Sequence, residues 1–378
     1  MSNSLKSYFL CLAALSAALV SGCGGGGSTG TTPPPPPQQA ATPTITTAPA
    51  QNDAVVVTLA TTTSGATVYY TTDGSAPTVA SQAYSAPFLV ASNLTVNAIA
   101  AASGDSNSSV ATKDFAPNIP SGTLVWSDEF SNSTGANAGP NSQVWTYDTG
   151  NNNGWGNSEL ENYCAWGSDA SPCDTSNPNA YVGTDSYLHI VAEQPTAGVY
   201  TSARMKTEGL FSFQYGRIEV RAQVPEAQGF WPAFWLLGNN ISTVNWPACG
   251  EMDVMERVDA AGNPDWNAGS VHGTGFTGSN IGTRYLFPNG QTAATWHTYG
   301  MIWSKGSVAY YIDDRTQPYA SFTPSSISGF NGAVWPFDTG SNFIIINLAV
   351  GGSWPLSPDS TTPFPSQVLV DYVRIYTN

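Results

Sequence analysis

"GEMDVMERV", residues 250–258, places three carboxylates within six positions: Glu251, Asp253 and Glu256. In an extended strand, side chains alternate between two faces with period two. Glu251 and Asp253 therefore share a face, while Glu256, an odd number of residues further on, should point the other way. A β-bulge would resolve the mismatch, because one extra residue restores the facing of the residues after it and shortens the local rise. With Val254 or Met255 as the extra residue, all three carboxylates line one face of one strand. The alternative is an unbroken strand with Glu256 on its outer face.

The surrounding segments read as strands too. Between residues 122 and 378 lie "TLVWSDEF", "YLHIVAE", "GRIEVRAQV", "GFWPAFWLLG", "TYGMIWSKGSVAYYID", "FIIINLAV" and "VLVDYVRIY". Many alternate apolar and polar residues, as strands with one core face and one wet face do. Helical periodicity is scarce throughout, so the fold class is all-β. The expected architecture for 122–378 is a large antiparallel β-sandwich of the jelly-roll kind, whose curved wet face makes a concave cleft for a polymer.

Ahead of it, residues 43–116 hold "AVVVTLA", "ATVYYTT", "FLVAS" and "LTVNAIAA". Asp73-Gly74 supplies a turn and Pro77 ends a strand, which suggests a small N-terminal β-sandwich module. Residues 23–42 are Gly- and Pro-rich, with Pro33 to Pro37 as a stiff spacer. Residues 1–22 read as an export signal, with Lys6 before the apolar run Tyr8 to Val20. "LVSGC" resembles a bacterial lipobox, which implies cleavage before Cys23 and lipidation of its thiol; an ordinary cleaved signal is the other reading. The expected location is the bacterial cell envelope or the exterior, with membrane contact through the lipid anchor only.

Export means an oxidising compartment. Cys11 leaves with the signal, and Cys164 and Cys173 lie close together in a loop-like stretch, so a disulfide between them is expected. Cys249 has no partner and reads as a small buried residue.

The net charge is −15, only 10% of residues are charged, and aromatics reach 12%, with 12 Trp. This excludes the basic surface of a nucleic-acid binder. A neutral polymer with apolar ring faces suits it better, as does a plain exported β-protein with a polar surface. For the first reading, two carboxyl groups flanking a glycosidic bond are the recurring device for hydrolysis, about 5–5.5 Å apart when configuration is retained.

At that point the residues resemble a known family. "GEMDVMERV" is similar to the active-site strand of glycoside hydrolase family 16, and its extra residue is typical there of laminarinases, endo-β-1,3-glucanases. "WSDEF", "WGNSELENY", "YTSARMKTEGLFSFQYGRIEVRAQVP", "GFWPAFWLLG", "HTYGMIW", "NLAVGGSWP" and "VDYVRIY" look like family blocks in family order. The resemblance implies retaining endo-hydrolysis of β-1,3-glucan by a monomer that needs no cofactor for catalysis. It makes Glu251 the nucleophile, Glu256 the acid/base and Asp253 the residue that positions and tunes the pair. The other readings are a mixed-linkage β-1,3-1,4-glucanase or galactan hydrolase on the same scaffold, and a non-catalytic glucan-binding protein.

By the same resemblance Trp231, Trp235, His272, Asn157, Glu159 and Arg204 contact substrate, and Glu129 and Asp371 match a position for a structural calcium ion, whose ligands are oxygens. Core tryptophans, a structural histidine and paired surface carboxylates are the plainer readings of the same residues. Where laminarinases commonly carry Gln and a second aromatic after "WGNxEL", this chain has "ENYC" with Glu161. The "YYTTDGSAPT" stretch resembles the small module at the C-terminal end of chitobiases and hexosaminidases; a spacer role is favoured over glycan binding through Tyr69, Tyr70 or Tyr84.

Overall fold

The apolar run Asn342–Val350 is buried along all nine residues and lies inside a sheet, as a strand with both faces covered must. The computed structural model describes residues 38–259, 265–277, 281–288, 290–327, 330 and 334–378. The signal at 1–22, Cys23 and the linker residues 24–37 lie outside the described residues.

Two large sheets stack face to face. One has seven strands among the described residues, in the order Gly282–Leu286, Trp266–His272, Glu251–Glu256, Phe230–Gly238, Asn342–Val350, Arg204–Lys206 and Thr146–Asp148. The other has ten, centred on Gly216–Gln223, Ser366–Tyr376 and His297–Ser304. Their facing residues form one core, with Phe230, Phe234, Leu236, Met252 and Val271 from the first sheet against Ile218, Val220, Tyr299, Met301 and Val373 from the second. The fold is the expected all-β jelly-roll sandwich. Among the described residues, helix is limited to Ile241–Val244 and the 3-10 turn Pro336–Asp338.

The bulge is present, and Val254 is the extra residue on the side of the neighbouring strand Phe230–Gly238. There Asp253 pairs with Trp235 and Met255 with Phe234, leaving Val254 without an opposite number. On the other side, Asp253 pairs with Ser270 and Glu256 with Ala268, so Val254 and Met255 stand against Gly269 alone. Val254 and Met255 both pack into the core, at 1% exposure each. Gly269 fits this crowding, because a Cβ there would meet the Tyr310 ring and the Tyr319 hydroxyl at 2.6 Å. With two successive residues turned inward, Glu251, Asp253 and Glu256 all turn outward.

The N-terminal strands make two smaller sheets. Thr44–Pro49, Val55–Ala60 and Phe88–Val90 form one, and Gln82–Ala83, Thr67–Thr71, Leu94–Ala101 and Ala111–Phe115 form the other. Val57, Leu59, Val68, Tyr70, Phe88, Val96 and Ala98 fill the space between them. Ala54 and Leu89, however, belong to the core of the large sandwich, and Gln51 N and Leu89 N donate to Val125 O and Ser212 O at 3.2 and 2.9 Å. These strands are packed against the large sandwich rather than held off by a bare tether. Tyr70 is buried and stacks on Phe88, which removes it from the surface.

Phe234 is fully buried, directly beneath the bulge. Phe234→Ala should destabilise the chain by about 3–5 kcal/mol through lost burial and a residual cavity. Urea unfolding followed by near-UV circular dichroism checks this.

Candidate active site

The carboxylate strand lies between a strand that bears tryptophans and one that bears a histidine. Glu251 is paired with His272 and Asp253 with Ser270, while Glu256 sits beside Ala233 between Trp231 and Trp235. His272 Nε2 lies 3.1 Å from Asp253 Oδ2 and 3.9 Å from Glu251 Oε1. Trp246 Nε1 donates to Glu251 Oε2 at 2.9 Å, and Trp231 Nε1 donates to Glu256 Oε1 at 3.2 Å. Each glutamate is thus aimed by its own indole. Donor atoms of Glu251, Asp253 and His272 fall within 4.8 Å of one another, but the three side chains already hold each other in place.

Ser270 Oγ sits 2.7 Å from Asp253 Oδ2 and 3.0 Å from Glu256 Oε2. A hydroxyl carries one hydrogen. With that hydrogen donated over the shorter contact to Asp253, the second contact is a hydrogen bond only when Glu256 carries a proton and donates it to Ser270. The geometry therefore favours an ionised Asp253 beside a protonated Glu256.

The electrostatics raise all three carboxyls. Burial, and then the charge of Asp253, push the Glu256 carboxyl up to about 8. Asp253 is raised by burial to about 7, with the Ser270 hydrogen bond opposing the rise. Glu251 is also raised, by burial and by Asp253, while His272 and the Trp246 hydrogen bond favour its ionised form. Three neighbouring carboxyls cannot all ionise cheaply in a water-poor site. Burial raises all three, Glu251 well above the ordinary value, and the shorter Ser270 contact to Asp253 is the geometry that favours a proton on Glu256.

Arg204 is held between the rings of Trp155 and Trp235, 5.0 and 4.7 Å from their centroids, with Nε 3.0 Å from Asp148. Trp235 Nε1 donates to Asn347 Oδ1 at 2.8 Å, and Asn347 Nδ2 donates to the Tyr163 hydroxyl at 3.2 Å. That hydroxyl donates in turn to Glu159, whose other oxygen accepts from Asn157. Glu159 is only 7% exposed, so it orients Asn157 and Tyr163 rather than presenting itself. Trp231 meets Trp354 edge to face at 5.2 Å. Trp231 and His272 thus touch the carboxylates directly, while Trp235, Asn157, Glu159 and Arg204 belong to a polar and aromatic lattice beside them.

Five members of the site escape a reading of motifs. Trp246 precedes the carboxylates by a few residues in "NWPACGE", and Asn347 is a lone amide in the apolar run "FIIINLAV"; both are signals of a kind. Tyr163 and Trp354 lie within "WGNSELENY" and "NLAVGGSWP" but their part in the site is found only through contact, and Ser270 carries no local mark at all.

Two predicted calcium ligands do not join a ligand set. Arg374 clamps Glu129 with Nε at 2.9 Å and Nη2 at 2.7 Å, and Arg221 Nη1 donates to Asp371 at 2.6 Å. Each carboxylate already has its own guanidinium, so these side chains do not fit a calcium site. Cys164 and Cys173 are joined, and Cys249 is buried as a free thiol that burial pushes up to about 11.

Residues 167–373 match the family model of "Glycosyl hydrolases family 16". The chain belongs to that family. Residues 47–112 match the model of the chitobiase/beta-hexosaminidase C-terminal domain. A beta-glucanase of Rhodothermus marinus is 34% identical over 275 residues, covering 70% of this chain and 88% of that one. Glucan endo-1,3-beta-glucosidase A1 of Niallia circulans is 32% identical over 289 residues, 69% of this chain but 38% of that one. Among solved structures, the laminarinase catalytic domain from Thermotoga maritima aligns at a TM-score of 0.58 and 36% identity, covering 68% of this chain and 99% of that one. The chain is a glycoside hydrolase of this family, whose catalysis needs no cofactor.

Between the ordinary glutamate value of 4.5 and about 8, Glu256 is protonated in the folded protein and ionised in the unfolded chain. The folded state then binds more protons, so stability falls as pH rises through that window. Glu256→Gln removes this contribution. Unfolding free energies measured at about pH 5 and about pH 8.5 should drop less in the variant than in wild type; equal drops would contradict the raised value.

Proposed function

We propose that the chain hydrolyses β-1,3-glucan internally, with retention of configuration, using Glu251 as nucleophile and Glu256 as acid/base. The observation that carries this reading is the bulge at Val254, which gathers both glutamates and Asp253 onto one face lined by Trp231, Trp235 and Trp246.

In the first step Glu256 gives its proton to the glycosidic oxygen as the bond from that oxygen to the anomeric carbon breaks, and the Glu251 carboxylate attacks that carbon. The leaving chain departs with a free hydroxyl, and a glycosyl ester remains on Glu251. Esterification removes the charge of Glu251, so Glu256, now a carboxylate, can take a proton from water. The water oxygen attacks the anomeric carbon, Glu251 is released as a carboxylate, and Glu256 is again protonated. Asp253, held by Ser270 and His272, keeps Glu251 oriented and raises the proton affinity of Glu256. Indole rings along the face suit sugar rings, which present apolar faces.

The linkage preference rests on the relatives named as glucan endo-1,3-beta-glucosidase and laminarinase. Reducing-sugar release should be high on laminarin, lower on lichenan and absent on agarose and carrageenan. Glu251→Ala should lose about 10⁴-fold or more of the laminarin activity. Activity on lichenan alone would reassign the substrate, and inactivity on all four would leave only binding.

Export through the segment 1–22 and tethering by a lipid on Cys23 belong to the same proposal. The Cys164–Cys173 disulfide supports it, since such bonds persist in oxidising compartments. In a bacterial host, wild type should label with radioactive palmitate and fractionate with membranes. Cys23→Ser should do neither.

A further inference from the structure

Side chains of the small sandwich reach the ends of two strands of the cleft sheet. Ser85 Oγ donates to the carbonyl of Asn239 at 2.9 Å, and the Tyr70 hydroxyl meets Ser341 Oγ at 3.3 Å. Their targets are tied to one another. Asn239 Nδ2 donates to Ser341 Oγ at 3.0 Å, Asn239 N donates to Ser341 O at 3.0 Å, and the hydroxyls of Ser341 and Ser212 meet at 3.1 Å. Ser212 also binds the small sandwich, donating to Pro87 O at 3.1 Å and accepting from Leu89 N at 2.9 Å. Asn239 and Ser341 are buried, at 6% and 4% exposure. Gly340 leaves room for Gln82 of the small sandwich, whose side-chain amide occupies the place a Cβ would take.

Asn239 is where the strand Phe230–Gly238 hands the chain to residues 239–250, which return as the carboxylate strand. That segment contains only the four-residue helix Ile241–Val244, none of it buried. It also carries Trp246, which is 51% exposed and yet donates to Glu251. Asn245 N donates to Ile241 O and Cys249 N to Asn245 O, so this exposed indole is held by the segment's own turns and by its ends. One of those ends is fastened to the small sandwich.

We propose that the small sandwich is a positioning element of the active site: by fixing Asn239 and Ser341 through Ser85 and Tyr70, it sets the 239–250 segment and so the contact of Trp246 with Glu251. The proposal rests on the reading of Glu251 as nucleophile. Two neutral hydrogen bonds contribute little beside the burial of two apolar cores, so their removal loosens the segment without unfolding the chain. Trp246 Nε1 favours the ionised form of Glu251. Loosening it raises the proton affinity of Glu251, and the acid limb of the kcat/KM profile moves to higher pH. Glu251 is otherwise faced by Asp253 and Glu256 on its own strand, by Cys249 before it, by His272 from the neighbouring strand and by Tyr310 from the opposite sheet, none of which Tyr70 or Ser85 touches.

The test uses the full chain with Tyr70→Phe and Ser85→Ala, alone and together, with Trp246→Phe as reference. The double variant should move the acid limb up by about 0.3 pH unit or more and raise KM for laminarin about two-fold or more. In the Trp246→Phe background the same pair should move neither further. An unchanged profile with only a lower Tm, or shifts that add to those of Trp246→Phe, would overturn the proposal. Ser85 lies at the surface, so Ser85→Ala alone provides the measurement should the pair fold poorly. A wild type inactive on every glucan would refute the function instead, a different result from an unaltered profile in an active enzyme.

Discussion

Everything in the cleft depends on one unpaired residue. A strand of strict period two cannot present Glu251, Asp253 and Glu256 together, and the Val254 bulge removes the conflict by turning Val254 and Met255 inward in succession. The inward turn needs room, which Gly269 provides by leaving space for Tyr310 and Tyr319. It also needs burial for two apolar side chains, which the core between the sheets supplies. The chemistry on the outer face is therefore secured by packing on the inner face.

Gathering three carboxyls creates a second constraint, because they cannot all be charged in so little water. The resolution is local and directional. Burial raises both glutamates, an indole and His272 favour charge on each, and Ser270, with one hydrogen for two neighbours, is the contact that favours the proton on Glu256. A division of labour between two chemically identical side chains thus arises from their neighbours, with no cofactor involved. The lattice from Trp235 through Asn347 and Tyr163 to Glu159 and Asn157 extends the same rigidity along the cleft. Glu161 lies fully buried at its edge, its carboxyl accepting from Val350 N at 2.7 Å and raised by burial and by Glu159.

The N-terminal strands show where local reading stops. Their alternation and the Asp73-Gly74 turn identify strands and a small sandwich, and Pro33 to Pro37 suggest a spacer. Nothing in that pattern indicates that Ala54 and Leu89 enter the larger core or that Ser85 meets Asn239, residues far apart in the chain. Tyr70 reads equally well as a sugar platform and as a core residue, and only its stacking on Phe88 and contact with Ser341 decide it. The Glu129 and Asp371 pair misled for a similar reason: a carboxylate in a family position looks like a metal ligand until Arg374 and Arg221 are found upon it.

By itself the sequence determined the all-β class, the two sandwiches and the three carboxylates, because strand alternation is a local property and the break in it at 254–255 admits few explanations. It left open which of Val254 and Met255 is the extra residue, since a bulge is defined only against the partner strands. It did not show what Ser270, Tyr163 and Trp354 do, because they support the carboxylates and the cleft through contacts between segments that are distant in sequence. The family resemblance assigned the acid/base role to Glu256, and only the tertiary structure supplied the surroundings that suit it, because the Ser270 contacts and the burial of the carboxyls arise between strands.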